Sequence, residues 1–364
     1  MHDYTHLRLI ADDLTGALDS ACAFVGLFPA LRVGQNAAGE QSLVINSASR
    51  EDPPDEVRRK TAELAAHLAP VAGRLCFFKI DSLLRGHAAA ALDALLSVLS
   101  FDRVIIAPAA PTLDRITTNG RQHVRVHGAW VPTGEDLVIE LENCGRTVGK
   151  NSVHDKGLMW FDAAKDEELD DIVSQFTGSA EKVLWVGTAG LASALANKIG
   201  KRASKTIPVT APMLGLIGSN HPVMQQQLAK VSYLHLPSHC QADIAARIKT
   251  TDAVMVSCEL PENSTHDAAQ HLIESAFSSL VSHIPAPNSL FASGGETLQN
   301  LLKPLQVQSL ELLGEFEPGI PISRIEGGLW DGVTVVSKSG AFGSPDFLLR
   351  LVSSLTQHSK AIVT

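Results

Sequence analysis

Two adjacent carboxylates follow the first apolar run of the chain. The run at 7–11 leads into Asp12 and Asp13, and a Thr-Gly pair follows at positions 15 and 16. Because side chains alternate across a strand, these two carboxylates point in different directions. One can therefore face a ligand, while the other caps the following helix. The alternative is that both aspartates serve only as cap and turn formers.

A second cluster of charged residues follows the apolar run LCFF at 75–78. Lys79 and Asp81 are two residues apart and share a face of the strand, whereas Ser82 and Arg85 lie in the turn before a helix. Cations near a helix N-terminus suit a carboxylate or a phosphate group. Alternatively, Lys79 and Asp81 form only a salt bridge. Arg115, in a Pro-rich loop, is a further candidate for the same anion site.

Glycine-containing turns follow three apolar runs in the second half of the chain. They read GSNHP at 218–222, SGGET at 293–297 and KSGAFG at 338–343. Main-chain N–H groups of such turns can approach phosphates closely, so their recurrence favours a nucleotide site. The chain has no G-x-x-x-x-G-K-[ST] motif and no G-x-G-x-x-G after a strand, which excludes a P-loop and argues against a dinucleotide site. No metal-ligand spacing occurs among the histidines and cysteines, so no dedicated metal site is predicted.

These turns must be positioned by the elements around them. Short apolar runs alternate with segments of helical period, a pattern typical of βα units with a parallel sheet. In the first half we expect strands at 7–12, 42–49, 74–82, 103–109 and 182–190, and helices at 15–25, 55–69, 86–100 and 191–198. In the second half we expect strands at 213–219, 253–260, 289–295 and 332–340, and helices at 222–230, 265–283 and 296–303. Segment 110–150 is predicted to be loop-rich with short strands.

The length of 364 residues predicts two domains. Segment 201–213 combines three basic residues with two prolines and is the best linker candidate. We therefore expect two α/β domains with largely parallel sheets, one over 1–205 and one over 206–364. Ligands of such sheets bind at the carboxyl ends of the strands.

Composition narrows the class of protein. The chain has 30 Lys and Arg against 39 Asp and Glu and no basic run, which argues against nucleic acid as a partner. No apolar stretch is long enough to cross a membrane, and the first residues carry charges, so no membrane role is expected. Five widely spaced cysteines are expected to be buried free thiols in a reducing compartment, which predicts the cytoplasm.

In order along the chain, these motifs resemble those of the four-carbon acid sugar kinases. The matching pieces are IADDLTGALD (10–19), KIDSLLRG (79–86), APAAP with Arg115, VGTAGLA (186–192), GSNHP (218–222), GGET (294–297), EPGIP (317–321) and KSGAFG (338–343). The resemblance implies a soluble enzyme that phosphorylates a tetronate-type sugar acid with ATP and Mg²⁺. It also implies an N-terminal domain for the acid, a C-terminal domain for the nucleotide, and transfer in the cleft between them.

The resemblance assigns roles motif by motif. It implies that the acid site is lined by residues of the first two motifs and the Pro-rich loop, with Asp12 or Asp13 as the catalytic base and Asp81 as a second candidate for that role. The substrate-binding residues would be Lys79, Asp81, Ser82, Arg85 and Arg115. The nucleotide-binding residues would be Ser219, His221, Gly294, Gly295, Glu296, Thr297 and Gly340.

The chain departs from the family pattern at three places. His221 and Met224 replace positions where the family usually has hydroxyl residues, and Asp114 replaces the Gly that usually precedes the loop Arg. The chain also looks shorter than many members between Ser219 and Gly294. One alternative is therefore a sugar-acid or nucleotide-binding regulator without turnover, and a phosphatase is another. The spacing of Asp12 and Asp13 argues against aspartyl-phosphate chemistry. The sequence leaves the acid and the oligomeric state open, a homodimer included.

Overall fold

A computed structural model of the protein describes residues 4–34, 42–178, 181–200, 207–261 and 265–361. The chain divides into two compact units, Met1–Ala203 and Ser204–Thr364. Of the expected linker 201–213, residues 201–206 lie outside the described residues, and Met213 is already the first residue of a strand. Among the described helices, none combines the length and the apolarity that crossing a bilayer requires.

The first unit alternates strands and helices over most of its length. Its strands are β1 (His6–Ala11), β2 (Arg32–Val33), β3 (Leu43–Asn46), β4 (Arg74–Lys79), β5 (Arg103–Ala107), β6 (Arg115–Thr118), β7 (Arg121–Val126), β8 (Ala129–Pro132), β9 (Val148–Lys150), β10 (Gly157–Trp160) and β11 (Val183–Gly187). Its helices are α1 (Leu14–Cys22), α2 (Pro54–Leu64), α3 (Ala88–Val98), α4 (Leu137–Asn143), α5 (Asp166–Phe176) and α6 (Ala189–Ile199).

The main sheet of this unit is parallel throughout, in the order β2-β3-β1-β4-β11-β5-β10-β9. Helices cover it in two groups, with α2, α3 and α4 packed in one group and α1, α5 and α6 in the other. The expected α/β fold with a largely parallel sheet is therefore confirmed for this unit. A parallel sheet covered on both faces explains why β1 and β4 are buried along almost their whole length.

Helix α3 illustrates how the sequence pattern builds this core. Ala91, Leu92 and Leu95 are buried against the sheet, and Ala88, Leu96 and Leu99 pack around them. The helix expected at 86–100 is confirmed, with these residues forming one apolar stripe along it. Burying one leucine side chain contributes about 2 kcal/mol, so the stripe gives this helix most of its stability.

The segment 110–150 is only in part the loop-rich excursion that the sequence predicts. Its short strands β6, β7 and β8 form a separate antiparallel sheet. The prediction is wrong for Leu137–Asn143, which forms α4. Asp136 caps this helix by accepting the N–H of Ile139 at 3.3 Å. Its few apolar residues are largely buried, and the helix packs against α3.

The second unit also alternates strands and helices and has its own core. Its strands are β12 (Met213–Ile217), β13 (His235–Pro237), β14 (Ala253–Ser257), β15 (Ser289–Ser293), β16 (Ser309–Glu317), β17 (Ile320–Glu326) and β18 (Thr334–Lys338). Its helices are α7 (Pro222–Ala229), α8 (Gln241–Ile248), α9 (His266–His283), α10 (Gly295–Leu302) and α11 (Phe347–Ala361). The order is β13-β14-β12-β15-β18-β17-β16, parallel as far as β18 and antiparallel in the hairpin beyond it.

The five cysteines are free thiols, but the expectation that all are buried is wrong. Cys22 and Cys76 are buried, whereas Cys144, Cys240 and Cys258 are partly exposed. These three cysteines lie at the ends of helices or just past the end of a strand, where the secondary-structure elements reach the surface.

Candidate functional site

The charged residues of the first unit gather at the carboxyl edge of its sheet. Ala11 of β1 is level with Lys79 of β4 and with Asn46 of β3, and Gly187 of β11 is level with Lys79. Residues just past these strand ends therefore lie side by side. This is the edge at which open parallel sheets bind ligands.

Asp13 is the N-cap residue of α1. Its Oδ1 accepts the N–H of Gly16 at 3.0 Å, as the adjacent spacing of the two aspartates predicts for one of them. Gly16 is required by space, because a Cβ there would lie 2.5 Å from Asp13 Oδ1 and 2.6 Å from Lys79 Nζ. The amine of Lys79 therefore reaches the N-terminus of α1, where main-chain N–H groups and the helix dipole favour an anion.

Arg50 stands at the centre of the site, and the sequence reasoning missed it. Its Nε and Nη2 donate to the two oxygens of Asp12 at 2.8 and 2.6 Å, and Nη2 also donates to Asp13 Oδ1 at 2.8 Å. Its Nη1 lies 3.4 Å from Asp81 Oδ1. Three aspartates thus share one guanidinium, and this raises the pKa of Arg50 further above its ordinary value despite burial.

The turn after β3 places Arg50. Main-chain N–H groups of Ser47 and Ser49 donate to the carbonyls of Ala11 and Asp12 at 2.9 and 3.0 Å, which fixes this turn against the end of β1. Gly86 packs against the Arg50 carbonyl with φ +77°, where a Cβ would be strained and would lie 3.0 Å from that oxygen. The detectable signal was the arginine four residues past a short apolar strand.

Asp81 is saturated with hydrogen bonds. Its Oδ2 accepts the main-chain N–H groups of Leu83 and Arg85, both at 3.1 Å, and Arg85 grips both oxygens at 2.8 and 2.9 Å. These bonds and the nearby Arg50 hold the pKa of Asp81 well below its usual range, although burial alone raises it. The alternative of a Lys79–Asp81 salt bridge is not what forms, because Asp81 pairs with Arg85 and Arg50.

Asp12 differs from Asp81 in its electrostatics. Burial raises the pKa of Asp12 more than Arg50 and Lys79 lower it. Its carboxylate nevertheless keeps a side-chain exposure of 22%, against 5% for Asp81. Asp12 therefore combines access to a ligand with increased basicity.

The small antiparallel sheet adds polar groups beside this network. Gln122 of β7 donates to the carbonyls of Ser82 and Pro108 at 2.9 and 3.2 Å, and its buried Oε1 accepts nothing from the described residues. Arg115 of β6 donates through Nη1 to the Leu113 carbonyl, and its buried Nε has no partner among the described residues. Burial lowers the pKa of Arg115.

Asp114, the departure before Arg115, has φ +57° and ψ +43°. This left-handed conformation favours glycine, which explains why glycine suits this position. The Asp114 side chain is exposed and lies 3.8 Å from Arg125, so its charge points toward the surface.

Three glycine turns meet at the carboxyl edge of the second sheet, where Ile217, Ser293 and Lys338 are level with one another. The N–H groups of Gly218 and Gly294 donate to the carbonyls of Ser293 and Lys338 at 2.9 and 3.1 Å. A Cβ on Gly340 would clash with the side chain of Ser219. The structure thus brings the predicted Ser219, Gly294 and Gly340 together.

The other predicted nucleotide residues lie on the two helices that begin at this edge. His221 is the N-cap of α7, and its Nδ1 accepts the N–H of Val223 at 3.3 Å. Gly295 is the first residue of α10, and Glu296 lies in its first turn. Thr297 is buried and donates to the Ser293 carbonyl at 3.0 Å.

The departure at Met224 concerns packing rather than an exposed loop. Met224 is fully buried, and its sulfur accepts the hydroxyl of Ser293 at 3.0 Å. With His221 acting as the helix cap, both unusual residues have local structural partners. Neither one removes a glycine from the three turns.

Comparison with known proteins matches both halves of the chain to family models. Residues 7–140 match a sugar-binding N-terminal domain, and residues 214–348 match a nucleotide-binding C-terminal domain. The two models together cover most of the chain, and curated relatives over nearly its full length are named as kinases of four-carbon sugar acids. The chain belongs to the four-carbon acid sugar kinase family. The predicted assignment of the chain to that family is therefore confirmed.

Individual relatives agree over nearly their whole length. The chain is 25% identical to a D-threonate kinase of Bordetella bronchiseptica, covering 97% of this chain and 98% of the relative. It is 24% identical to a 3-oxo-tetronate kinase of Actinobacillus succinogenes, covering 94% and 97%. A solved structure of a Haemophilus influenzae protein matches with a TM-score of 0.69 at 20% identity, covering 95% of this chain and 99% of that one. At that identity the structural likeness shows the fold.

Proposed function

We propose that the protein is an ATP-dependent kinase that phosphorylates a terminal hydroxyl of a four-carbon sugar acid of the threonate, erythronate or 3-oxo-tetronate type. The observation that carries the proposal is the charge network at the first sheet edge. There Lys79 and the N-terminus of α1 offer positive charge beside Asp12, a basic and accessible carboxylate. Relatives over the full length carry kinase names for such acids.

The acid would be held by its carboxylate. Lys79 is buried, its amine meets no carboxylate within ion-pair distance among the described residues, and it reaches the α1 N-terminus. That combination suits one small anionic group. Arg115 Nε and Gln122 Oε1 supply an unused donor and acceptor for hydroxyl or keto groups, and Arg85 and Ser82 border the same turn.

Asp12 would orient the attacking hydroxyl and accept its proton. Asp13 is committed to capping α1, and Asp81 is saturated by Arg85 and main-chain N–H groups. Arg50 holds the Asp12 carboxylate in one orientation through two hydrogen bonds. Phosphoryl transfer depends mainly on positioning and charge neutralisation. One base in a fixed orientation is therefore sufficient to activate the hydroxyl.

The nucleotide would bind at the second sheet edge. Glycine turns that leave no room for a Cβ allow main-chain N–H groups to approach phosphate oxygens, so this edge fits a phosphate chain. Ser219, His221, Gly294 and Gly340 would border the phosphates. Gly295, Glu296 and Thr297 would form the adjoining first turn of α10. Mg²⁺ would enter with ATP and neutralise phosphate charge, held by the nucleotide rather than by a dedicated set of protein ligands.

Because the net charge of the protein is −9, the molecule as a whole repels anions, and only these local groups can attract the anionic ligands. Anionic acid and ATP are drawn in by Lys79, the arginines and the N–H groups, rather than by the charge of the whole molecule. As an enzyme of small anionic metabolites and ATP, the protein would work in the cytoplasm.

A coupled assay of ADP release tests the proposal. Threonates, erythronates and their 3-oxo relatives are offered with MgATP, and the neutral four-carbon polyols threitol and erythritol are the matched controls. We expect ADP release with at least one acid and with neither polyol, because the polyols lack the carboxylate. Binding of acids without ADP release from any of them would contradict the proposal and favour the regulator.

A further inference from the structure

A buried lysine holds the loop at 339–344 from its interior side. Lys338, the last residue of β18, is 1% exposed. Its Nζ donates to the carbonyls of Ser339, Gly340 and Phe342 at 3.0, 3.4 and 3.0 Å. In the described part of the chain its hydrogen-bond partners are carbonyl oxygens rather than carboxylates, which is unusual for a buried cation.

A glutamine from α7 holds the other half of the same loop. Gln227 is fully buried, and its Nε2 donates to the carbonyls of Phe342, Gly343 and Ser344 at 3.1, 3.1 and 2.9 Å. Three consecutive carbonyl oxygens fix the amide orientation, because the NH₂ group must face them. Lys338 and Gln227 together therefore turn five carbonyls of this loop toward the protein interior.

The orientation of the carbonyls dictates the orientation of the N–H groups. In a planar trans peptide the C=O and the N–H point in opposite directions. Inward carbonyls of residues 339, 340, 342 and 343 thus turn the N–H groups of Gly340, Ala341, Gly343 and Ser344 outward. Within the described residues, none of these four N–H groups donates a main-chain hydrogen bond. Successive free N–H groups of this kind form an anion-binding concavity.

We propose that Lys338 and Gln227 are positioning residues that hold loop 339–344 as a cradle for phosphate oxygens of the nucleotide, without touching the nucleotide themselves. The inference rests on the proposed ATP site and deepens it. A phosphate on the outer side of the loop and the Lys338 ammonium on its interior side would polarise the same peptide groups. The bound anion would thus act as the counter-charge for a buried cation that has no carboxylate partner among the described residues.

Calorimetric binding of ADP, tripolyphosphate and adenosine to the full chain tests this arrangement. Lys338→Met keeps the length of the side chain and removes the donors, and Gln227→Met does the same for the second anchor. We expect each variant to bind ADP and tripolyphosphate about tenfold or more weakly, with adenosine affinity within about twofold of wild type. Lys303→Met is the control for charge, because Lys303 is exposed at the end of α10.

The pH dependence separates positioning from general structural support. Burial lowers the pKa of Lys338 to about 8. The groups on elements packed around it are uncharged Gln227 of α7 and the Phe347 ring of α11. Among the side chains that the structure describes on those elements and on the loop before α11, the charged and titratable groups have partners of their own: His221, beside Gly340, caps α7, Lys230 pairs with Asp346, and Arg350 pairs with Glu317.

As pH rises through about 8, Lys338 loses its charge and one donor, so the cradle should loosen and ADP affinity should fall. The contribution of Lys338 to stability should move the other way. Because the pKa of the folded state lies below that of the unfolded chain, the unfolded chain binds more protons between pH 8 and 10.5, and this group's contribution to stability increases with pH there. Weaker binding by a protein that is no less stable cannot come from unfolding. In Lys338→Met, the fall in affinity should be absent.

The outcomes distinguish this inference from the proposed function. If wild type binds no adenine nucleotide, the proposed ATP site is wrong. If wild type binds ADP and folded Lys338→Met and Gln227→Met bind it equally well, the positioning role is overturned while the ATP site stands. Should Lys338→Met fail to fold, Gln227→Met and the wild-type pH profile decide, and an ADP affinity that stays constant from pH 7 to 9.5 contradicts the role of Lys338.

Discussion

Under the proposed function, the two sheet edges of this protein would bind anions in different ways. In the first unit the groups proposed to face the ligand are side chains, with Arg50 shared by three aspartates and Lys79 left for the ligand. In the second unit they are main-chain N–H groups beside the glycines, in turns held by the buried Lys338 and Gln227. A side-chain site can discriminate between similar small acids, whereas a main-chain site recognises the phosphates that every nucleoside triphosphate shares.

This difference predicts different sensitivities to mutation. Side-chain substitutions that keep the backbone in place should damage the first edge, and an added methyl group should damage the second. A substitution at one edge should leave ligand binding at the other edge unchanged.

The largest effect is expected from Asp12→Asn. We expect turnover to fall about a thousandfold, because the amide cannot accept the proton of the hydroxyl, while ADP affinity stays within about twofold. Asp13→Asn is the matched control, since asparagine caps a helix as well as aspartate does, and it should lose far less activity. Steady-state kinetics with the best acid measures both. A greater loss in Asp13→Asn would reverse the roles assigned to the pair.

Gly340→Ala should have the next largest effect, now at the second edge. The added Cβ clashes with the side chain of Ser219, so the two turns must separate, and we expect ADP to bind about a hundredfold more weakly. Gly332→Ala is the control for backbone strain away from the turns. Gly332 has φ +85°, which disfavours alanine, but no described atom lies within 4 Å of the position its Cβ would take, so ADP affinity should not change. Calorimetry that shows wild-type ADP affinity in Gly340→Ala would remove this turn from the nucleotide site.

Arg50→Lys should have a smaller effect, confined to the first edge. A lysine keeps the charge but cannot hold both oxygens of Asp12, so the base loses its fixed orientation. We expect kcat/KM for the acid to fall about tenfold, with most of the loss in kcat and none in ADP affinity. A loss that appears only in KM would instead make Arg50 a binding group for the acid.

The smallest effect is expected from Asp114→Gly, which restores the residue typical of the family. Glycine adopts φ +57° without the strain of a Cβ, and the exposed ion pair with Arg125 contributes little. Urea unfolding should show a gain of about 0.5 kcal/mol, with turnover within about twofold. A loss of stability would mean that the aspartate makes a favourable local contact in this turn.

The sequence was sufficient to predict a contact where the residues that make it are close together in the chain. Adjacent aspartates at a strand end predicted that one caps α1, and Asp13 does so. Glycines after strands predicted turns that approach one another, as Gly218, Gly294 and Gly340 do. Helix and strand positions followed from the apolar period in the same way.

Contacts that depend on strand order were not predictable. Arg50 meets Asp12 and Asp81 only because β3 and β4 flank β1, and one chain's apolar pattern does not reveal which strands are neighbours. Gln227 reaches Gly343 across 116 residues of sequence. The hairpin of β16 and β17 was missed for the same reason, since pairing direction is set by tertiary packing.

Phosphorus NMR of a reaction between the wild-type enzyme, MgATP and the best acid of the panel tests the central claim most directly. The account predicts a new phosphomonoester signal on the acid that grows in step with ADP, and almost no such signal over the same time with Asp12→Asn. Inorganic phosphate in place of the ester, or equal ester formation by Asp12→Asn, would contradict it.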